Sequence, residues 1–404
     1  MLAPLSHFAH HLVASIRDFD LGRDDLLSQE ASWPASSSPG SLSSKRSMAE
    51  GFETLALELF ALQFEANQPY QRLCIARGRA PENVIRWTEI PAAPTEAYKD
   101  WDLTCLAPQE RPVVFHSSGT TGQRTSRHFH CQDSLAVYAA SLQTWFQRHL
   151  LSDDNAGLDK VSAGQPMTQI ALTPAPAVAP DSSLVHMLGV LQENLGSRDS
   201  LFAGGVEMGG AWSLDIDRVL NALRQSLCAN QPVLLMGTAF NFVNLLDQFE
   251  LKNIQYQLAA GSRIMETGGY KGRSRVLPKE ELHRRLVRHL GIPENHIVSE
   301  YGMSELSSQA YDYVIRKDSR SGLGEKVRRV FRFPPWARVR VISPETEAEV
   351  SEGETGLIQV TDLANVASVL AVQTSDLGIR RGTDFELVGR AAAVEPRGCS
   401  LMTA

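Results

Sequence analysis

The run best suited to chemistry combines glycines with hydroxyl side chains and follows a short apolar stretch at residues 113–115. It reads His116-Ser117-Ser118-Gly119-Thr120-Thr121-Gly122. Glycines let the backbone curl until its N–H groups point inward, and hydroxyls add donors at phosphate distance. The GK[ST] ending of a Walker loop is missing. Arg124 and Arg127 follow, either to attract phosphate or as solvated surface cations. The run predicts a phosphate-binding loop, and an ordinary surface turn is the alternative.

A second run places carboxylates beside a glycine and a hydroxyl, directly after a predicted strand at residues 297–299. It reads Glu300-Tyr301-Gly302-Met303-Ser304-Glu305. Mg²⁺ is usually held by one or two carboxylates together with substrate phosphates, and ligands bind at the carboxyl ends of strands. The run is therefore a candidate magnesium site. A helix-capping turn with a glutamate near its start is the structural alternative.

A third run carries an aspartate on a tight turn, Thr374-Ser375-Asp376-Leu377-Gly378, with Glu386-Leu387-Val388-Gly389-Arg390 after it. A carboxylate in such a place can accept hydrogen bonds from both ribose hydroxyls of a nucleotide. Taken in isolation, the pattern is more typical of an Asp-containing hairpin turn.

The segments between these runs alternate short β-rich stretches with longer stretches of helical periodicity. We predict strands at residues 113–115, 169–173, 233–236, 297–299, 339–342 and 357–361. We predict helices at residues 1–16, 134–150, 214–229, 240–251 and 279–290, and two helices within 48–77 that Pro69 separates. Strands separated by helices of this length indicate an α/β fold with parallel pairing. The glycine-containing, β-rich stretch from residue 328 predicts a smaller, partly antiparallel subdomain.

Composition limits the classes of function. The chain has 404 residues, 43% of them apolar, which is enough for a large core in two or three domains. A formal charge of -7 argues against nucleic acid as the main partner. No apolar run reaches the roughly 18 residues of a membrane-spanning helix. Five scattered cysteines without CxxC spacing indicate a reducing, cytoplasmic location and no structural zinc.

In their order along the chain, the three runs resemble the motifs of the adenylate-forming (acyl-CoA synthetase-like) superfamily, whose members make acyl-AMP from a carboxylate and ATP. The resemblance implies that the loop at 116–122 wraps the triphosphate, that Glu305 holds Mg²⁺ and that Asp376 binds ribose. Gly268 and Gly269 look like the turn against which adenine lies. The resemblance also implies nucleotide contacts from Arg127, Tyr301, Gly302, Ser304 and Arg390. Ser304 stands where the superfamily usually has threonine and keeps the hydroxyl.

A narrower resemblance is to LuxE-type acyl-protein synthetases, the synthetase component of bacterial long-chain fatty acid reductase systems. The segments that carry it are Ile90-Pro91-Ala92-Ala93-Pro94-Thr95, the loop with Ser126-Arg127-His128, Pro180-Asp181-Ser182-Ser183-Leu184, residues 266–273, residues 300–309 and Arg397-Gly398-Cys399-Ser400-Leu401. It implies an α/β adenylate-forming core at 48–327 and a β-rich subdomain with a cysteine tail at 328–404. A helical extension and a Ser/Pro-rich linker at 1–47 precede them.

Two departures from the superfamily shape the expected chemistry. The usual Pro-Lys after the loop is replaced by Gln123-Arg124, and we expect the mobile C-terminal domain with its catalytic lysine to be lacking. Lys271 is a candidate replacement contact to phosphate. Cys399 is a candidate acyl carrier, since family members hold the acyl group on such a cysteine as a thioester. The other four cysteines are predicted to be small core residues.

The resemblance therefore implies an AMP-forming fatty acid–protein ligase that uses ATP and Mg²⁺ and passes its acyl group to an acyl-reductase protein. An acyl- or aryl-CoA ligase similar to phenylacetate–CoA ligase is one alternative. A non-catalytic nucleotide-binding subunit is the other. Another feature is not assigned to a metal: His128 and His130 have metal-like spacing without a third ligand, so a structural or phosphate-proximal role is predicted.

Overall fold

The structure is a computed structural model that describes residues 1–19, 48–117, 124–151, 166–208, 210–268, 277–315 and 328–391. Within these ranges the helices are α1 (Ala3–Arg17), α2 (Met48–Ala66), α3 (Gln68–Ala76), α4 (Ala97–Asp100), α5 (Gln132–Phe146), α6 (Ser183–Leu195), α7 (Ile216–Ala229), α8 (Ala239–Leu251) and α9 (Lys279–Leu290). None of these helices is long and apolar enough to cross a membrane.

The strands of the described ranges are β1 (Ala93–Pro94), β2 (Val113–His116), β3 (Arg127–His130), β4 (Thr168–Ala171), β5 (Leu201–Phe202), β6 (Gly204–Val206), β7 (Trp212–Leu214), β8 (Val233–Thr238), β9 (Arg263–Thr267), β10 (Ile297–Tyr301), β11 (Ala310–Ile315), β12 (Arg328–Arg332), β13 (Ala337–Ile342), β14 (Thr355–Asp362), β15 (Ala371–Arg381) and β16 (Asp384–Arg390). Twelve of them form one sheet in the order β13-β14-β15-β16-β12-β11-β10-β9-β8-β4-β5, with β1 added to β15.

The sheet has a parallel part and an antiparallel part. Strands β5, β4, β8, β9 and β10 are parallel neighbours. From β10 onward the chain pairs antiparallel, through β11 and β12 to β16 and then to β15, β14 and β13. Helices flank the parallel strands, as expected when crossover connections join them. The predicted α/β class with a mixed sheet is confirmed.

The parallel strands are buried on both faces, and β8 shows how the residues divide. Successive side chains of a strand point to opposite faces. Val233 and Leu235 belong to the core formed with α7, α8 and α9, whereas Leu234 and Met236 belong to the core formed with α1, α5 and α6. A strand covered on both sides reads as a continuous apolar run, which is why this strand was recognisable in the sequence.

Most predicted helices form, and their capping groups define the ends. The helix predicted at 279–290 is α9 with the same bounds, and α7 begins after Asp215, whose carboxylate accepts from Arg218 N at 3.0 Å. Helix α8 begins one residue early because Thr238 caps it. The break within 48–77 falls at Asn67, whose side chain accepts from Tyr70 N at 3.2 Å; Pro69 lies in the first turn of α3.

The structure corrects the sequence analysis at two places. The predicted strand at 113–115 is β2, but it pairs antiparallel with β3 in a separate hairpin, and β3 was not predicted. Its residues, Arg127-His128-Phe129-His130, are too polar to be recognised as a strand. The prediction that Cys228 is a core residue was wrong, because this residue is exposed on α7. Val219 and Leu223 supply the buried face of that helix.

Helix α1 is packed into the main core. Leu5, Phe8, Leu12 and Ile16 are each at most 2% exposed and lie on one face at helical spacing. That face meets α5, where the hydroxyl of Ser6 donates to Asp133 Oδ2 at 2.6 Å. The helix therefore supports α5 from the side opposite the sheet.

We expect Leu12→Ala to lower the free energy of unfolding by about 3 kcal/mol, because it removes buried methyl groups and leaves a cavity. His7→Ala is the matched control, since His7 is exposed on the same helix and should change stability by about 0.5 kcal/mol or less. Urea unfolding of both variants measures the difference. Equal stabilities would show that α1 does not pack as described.

Candidate active site

The candidate site lies at the carboxyl edge of the parallel strands, where β9 and β10 end side by side. Thr267 is in register with Glu300, so Gly268 and Tyr301 follow at the same edge. Ligands of open α/β sheets bind at this edge because loops and helix starts converge there. Gly268 has a φ of 66°, a left-handed conformation that favours glycine, and an added Cβ would meet no atom within 4 Å.

The β2–β3 hairpin brings the two ends of the glycine loop to this edge. Ser117 Oγ accepts from Ser126 N at 2.9 Å, and Ser126 Oγ lies 3.3 Å from Ser304 Oγ. Ser304 Oγ in turn donates to Glu305 Oε2 at 2.9 Å. A chain of hydroxyls thus joins the predicted phosphate loop to the predicted magnesium ligand. Ser118, Gly119, Thr120, Thr121 and Gly122 lie outside the described residues.

His128 holds the Ser304 end of this row of hydrogen bonds in place. Its Nδ1 lies 2.7 Å from the carbonyl oxygen of Ser304, so that nitrogen carries the proton and donates. Burial lowers the pKa of His128 to about 4, which keeps the ring neutral. His130 is also buried, with Nδ1 at 3.2 Å from Ser134 Oγ. Within the described residues no cluster of three His, Cys, Asp or Glu side chains could hold a metal ion.

The turn that carries Glu305 is anchored by two residues that sequence analysis missed. Asp362 accepts from Ser307 N at 3.1 Å, from Ser308 N at 2.8 Å and from Ser308 Oγ at 2.7 Å. Asn365 Nδ2 donates to the carbonyl oxygen of Glu305 at 3.0 Å. Burial raises the pKa of Asp362 to about 6 although these hydrogen bonds oppose the shift. A possible signal was present, because Asp362 is the one charged residue of the apolar stretch 356–372.

Glu300 is a buried carboxyl group between the two runs. Thr267 Oγ1 donates to one of its oxygens, and burial raises its pKa to about 7, with the neighbouring charge of Glu266 adding to the shift. Its other oxygen occupies the space that a Cβ on Gly302 would need. Glycine is therefore required at position 302 by the carboxyl group of Glu300, a reason that the motif alone did not reveal.

The predicted ribose aspartate lies across from the same run. It lies within strand β15, so the prediction of a tight turn at Asp376 was wrong. Tyr301 Oη donates to Asp376 Oδ2 at 2.9 Å, and β15 pairs Asp376 with Arg390 on β16. Burial raises the pKa of Asp376, while the hydroxyl of Tyr301 and the charge of Arg390 act in the opposite direction. Tyr301 and Asp376, 75 residues apart in sequence, are thus in direct contact.

Both cations after the loop form ion pairs. Arg124 Nη1 lies 3.2 Å from Asp100 Oδ1, and Arg127 Nη2 lies 3.0 Å from Asp102 Oδ1. These pairs attach the hairpin to α4 and the residues that follow it. Of the remaining predicted site residues, Gly269, Lys271 and Cys399 lie outside the described part of the chain.

Comparison with known proteins finds one matching family and two curated relatives. Residues 205–404 match the family described as acyl-protein synthetase, LuxE. The long-chain-fatty-acid--luciferin-component ligase of Aliivibrio fischeri is 22% identical over 373 residues, which cover 87% of each chain. The ligase of the same name from Vibrio harveyi is 22% identical over 364 residues, covering 85% of this chain and 84% of its own. The chain is thus similar to LuxE acyl-protein synthetases over residues 205–404 and to these two ligases over most of its length.

Solved structures show the same fold. A 2-hydroxyisobutyryl-CoA ligase in an open conformation with 2-HIB-AMP and CoA has a TM-score of 0.59 at 12% identity, covering 90% of this chain and 77% of that one. Its postadenylation state has a TM-score of 0.57 at 13% identity, with 85% and 67% covered. ATP-bound MatB from Rhodopseudomonas palustris gives only 0.44 at 17% identity, and the chain spans 49% of its length. The chain thus has the predicted α/β fold, which it shares with this CoA ligase.

The raised pKa of Glu300 predicts a pH dependence of stability. The folded protein holds this proton up to about pH 7, whereas an unfolded glutamate, with its ordinary pKa of 4.5, releases it at lower pH. Stability from this group is therefore lost as pH rises through this window, by on the order of 2–3 kcal/mol. Glu300→Gln cannot titrate, so the free energy of unfolding of the wild type relative to the variant should fall between pH 5 and pH 8. Asp362 titrates in both proteins and cancels. A constant difference across this range would show that Glu300 ionises normally.

Proposed function

We propose that this LuxE-like chain activates a fatty acid with ATP to give acyl-AMP, and then transfers the acyl group to a cysteine thioester for delivery to an acyl reductase. The observation that carries the proposal is the hydroxyl chain from Ser117 through Ser126 and Ser304 to Glu305. It brings the phosphate-loop run and the magnesium run together at the carboxyl edge of the sheet. The names of the two curated relatives supply the fatty acid as substrate class.

Each part of the site has a place in nucleotide binding. The glycine loop surrounds the triphosphate, the turn at Gly268 lies against adenine, and Asp376 accepts from the ribose hydroxyls. Tyr301 holds the Asp376 carboxylate in one orientation, which favours a paired acceptor for two neighbouring hydroxyls. Neutral His128 adds no positive charge beneath the site and keeps the Ser304–Glu305 peptide in place.

The residues present fit Mg²⁺. Among the described residues the Glu305 carboxylate has one hydrogen-bond donor, the Ser304 hydroxyl, which leaves its other oxygen for a ligand. Hard oxygen donors, few in number and completed by phosphate, are what Mg²⁺ requires, so Glu305 would hold the ion. When bound, Mg²⁺ neutralises charge on the triphosphate.

The first half-reaction joins the acid to AMP. A carboxylate oxygen of the fatty acid attacks the α-phosphorus, the bond from the α-phosphorus to the bridging oxygen breaks, and pyrophosphate leaves with the electron pair. The chain contributes by holding the two reactants in line and by presenting fixed dipoles to the developing charge. Asp362 and Asn365 keep the Glu305 turn in its position during this step.

Glu305→Gln should lower fatty-acid-dependent ATP–pyrophosphate exchange by about 100-fold or more, because the variant removes the anionic oxygen. Glu345→Gln, an exposed glutamate after β13, is the control and should exchange at the wild-type rate. The thermal midpoint of Glu305→Gln, measured alongside, should stay close to that of the wild type. Unchanged exchange by a folded Glu305→Gln protein would remove Glu305 from the mechanism.

In the second half-reaction the Cys399 thiolate attacks the acyl carbonyl carbon, a C–S bond forms, the acyl C–O bond breaks and AMP departs. Position supports this cysteine. Ala391 N donates to the carbonyl oxygen of Ser375, next to Asp376, at 2.9 Å. Cys399 follows Ala391 by eight residues, which span at most about 30 Å when extended. The chain therefore connects Cys399, over at most about 30 Å, to a point next to Asp376.

Three of the described cysteines, Cys74, Cys105 and Cys228, are poorer candidates. Burial raises the pKa of Cys74 to about 11 and that of Cys105 to about 12, so neither is a thiolate at neutral pH. Cys228 is exposed, but α7 packs on the face of the sheet opposite α1 and α5.

Cys399→Ser should abolish hydroxylamine-sensitive labelling of the protein by radioactive fatty acid while leaving acyl-AMP formation intact, since only the acceptor thiol is lost. Cys228→Ser is the matched control and should label normally. Labelling that survives in Cys399→Ser would assign another nucleophile. CoA-dependent release of AMP that ignores Cys399 would instead favour an acyl-CoA ligase.

A further inference from the structure

The segment 90–102 includes the run Ile90-Pro91-Ala92-Ala93-Pro94-Thr95, whose function the proposed chemistry leaves open. Strand β1 within it adds to β15 in parallel, with Pro94 opposite Gln373, and Thr95 N donates to Gln373 O at 3.0 Å. This pairing places the next residue, Glu96, beside the residues of β15 that precede Asp376. Glu96 thus lies next to Ser375, which follows it by 279 residues in the chain.

Glu96 contacts Ser375 of β15 directly. Ser375 Oγ donates to Glu96 Oε1 at 2.6 Å, and Thr95 Oγ1 lies 3.3 Å from the other carboxylate oxygen. Burial opposes ionisation of Glu96. Its carboxylate accepts hydrogen bonds from Ser375 and from its own backbone N–H, and Lys99 adds a positive charge, so the pKa of Glu96 lies below its usual value. The Ser375 hydroxyl therefore donates to an ionised acceptor, the stronger kind of hydrogen bond.

The same segment also holds the phosphate-loop hairpin. Tyr98 of α4 is buried with its ring 6.3 Å from that of His128. Asp100 and Asp102 pair with Arg124 and Arg127 on the return arm of the loop. Residues 93–102 therefore touch the Asp376 part of β15 at one end and the residues that follow the glycine loop, Arg124 to His128, at the other.

The charges argue against a purely stabilising role for the Glu96 contact. Burial raises the pKa of Asp376, and the negative charge of Glu96 raises it further, because the two carboxylates are like charges on either side of Ser375. Tyr301 and Arg390 are the groups that favour the Asp376 anion from the other side. The like charge of Glu96 is thus unfavourable for the Asp376 anion, and Tyr301 and Arg390 offset it.

We propose that Glu96 is a positioning residue for ATP: through Ser375 it holds the ribose-binding carboxylate of Asp376 in register with the phosphate loop. The inference rests on the proposed nucleotide site and adds a role for the segment 93–102. Glu96 acts on the reaction through Asp376, so its loss should weaken nucleotide binding more than it slows the chemical step.

Fatty-acid-dependent ATP–pyrophosphate exchange tests this. Glu96→Ala should raise the KM for ATP about 5- to 20-fold and change kcat less than 3-fold, as expected for a charged hydrogen bond that is partly solvated. Glu96→Gln retains an oxygen acceptor and should lie between Glu96→Ala and wild type. Glu82→Ala removes an exposed glutamate upstream of β1 and should match wild type in both parameters.

Two further measurements separate positioning from a general structural effect. The double variant Glu96→Ala/Ser375→Ala should be no weaker than the more impaired single variant, because both changes break one interaction. With 2′,3′-dideoxy-ATP, which offers no ribose hydroxyls to Asp376, the KM ratio of Glu96→Ala to wild type should fall to about one. Additive single effects, or a KM ratio that persists with the dideoxy nucleotide, would overturn the proposal. A wild-type protein without any exchange activity would instead count against the proposed function itself.

Discussion

The buried carboxylate of Asp362 fixes the turn on which the rest of the site depends. By accepting two backbone N–H groups and one hydroxyl from Ser307 and Ser308, it holds the chain where β10 turns back into β11. Glu305 and Ser304 lie in that turn, and the phosphate-loop hairpin meets it through Ser126 and His128. Because the turn is buried, its polar groups would be costly to leave unpaired. Their partner comes from the end of β14, so the candidate residues for magnesium and phosphate take their positions from the antiparallel part of the sheet.

Two neighbouring glutamates show how local partners decide charge at this edge. Glu266 accepts from Ser299 Oγ at 2.5 Å and faces His283 and Lys279, and these partners outweigh burial so that its pKa lies below the usual value. Glu300, one strand away, has a single hydroxyl donor, and burial raises its pKa. The ionised group lies with the cations of α9, and the protonated group lies beside the Gly302 turn. The edge therefore carries less negative charge than its carboxyl groups suggest, which suits the binding of a polyphosphate.

The fold agrees with the sequence most closely where one periodicity dominates. Strand β8 and helix α9 were predicted from local pattern because burial on two faces, or along one helical stripe, leaves a signature within a few residues. The hairpin β2–β3 and the anchors Asp362 and Asn365 could not be predicted in this way. Several of their polar side chains have partners more than 50 residues distant, such as Ser307 for Asp362 and Ser304 for His128.

From the sequence alone follow the types of group at the site: a glycine- and hydroxyl-rich loop, a carboxylate run after a strand, and an aspartate run. Their order resembles that of the adenylate-forming superfamily. These are properties of short runs and of their order, which need no knowledge of contacts. Tertiary structure alone decided that Tyr301 meets Asp376, that Gly302 makes room for Glu300, and that Glu96 reaches Ser375. Such pairings arise from strand register and burial, which join residues far apart in the chain and set the protonation of each carboxyl group.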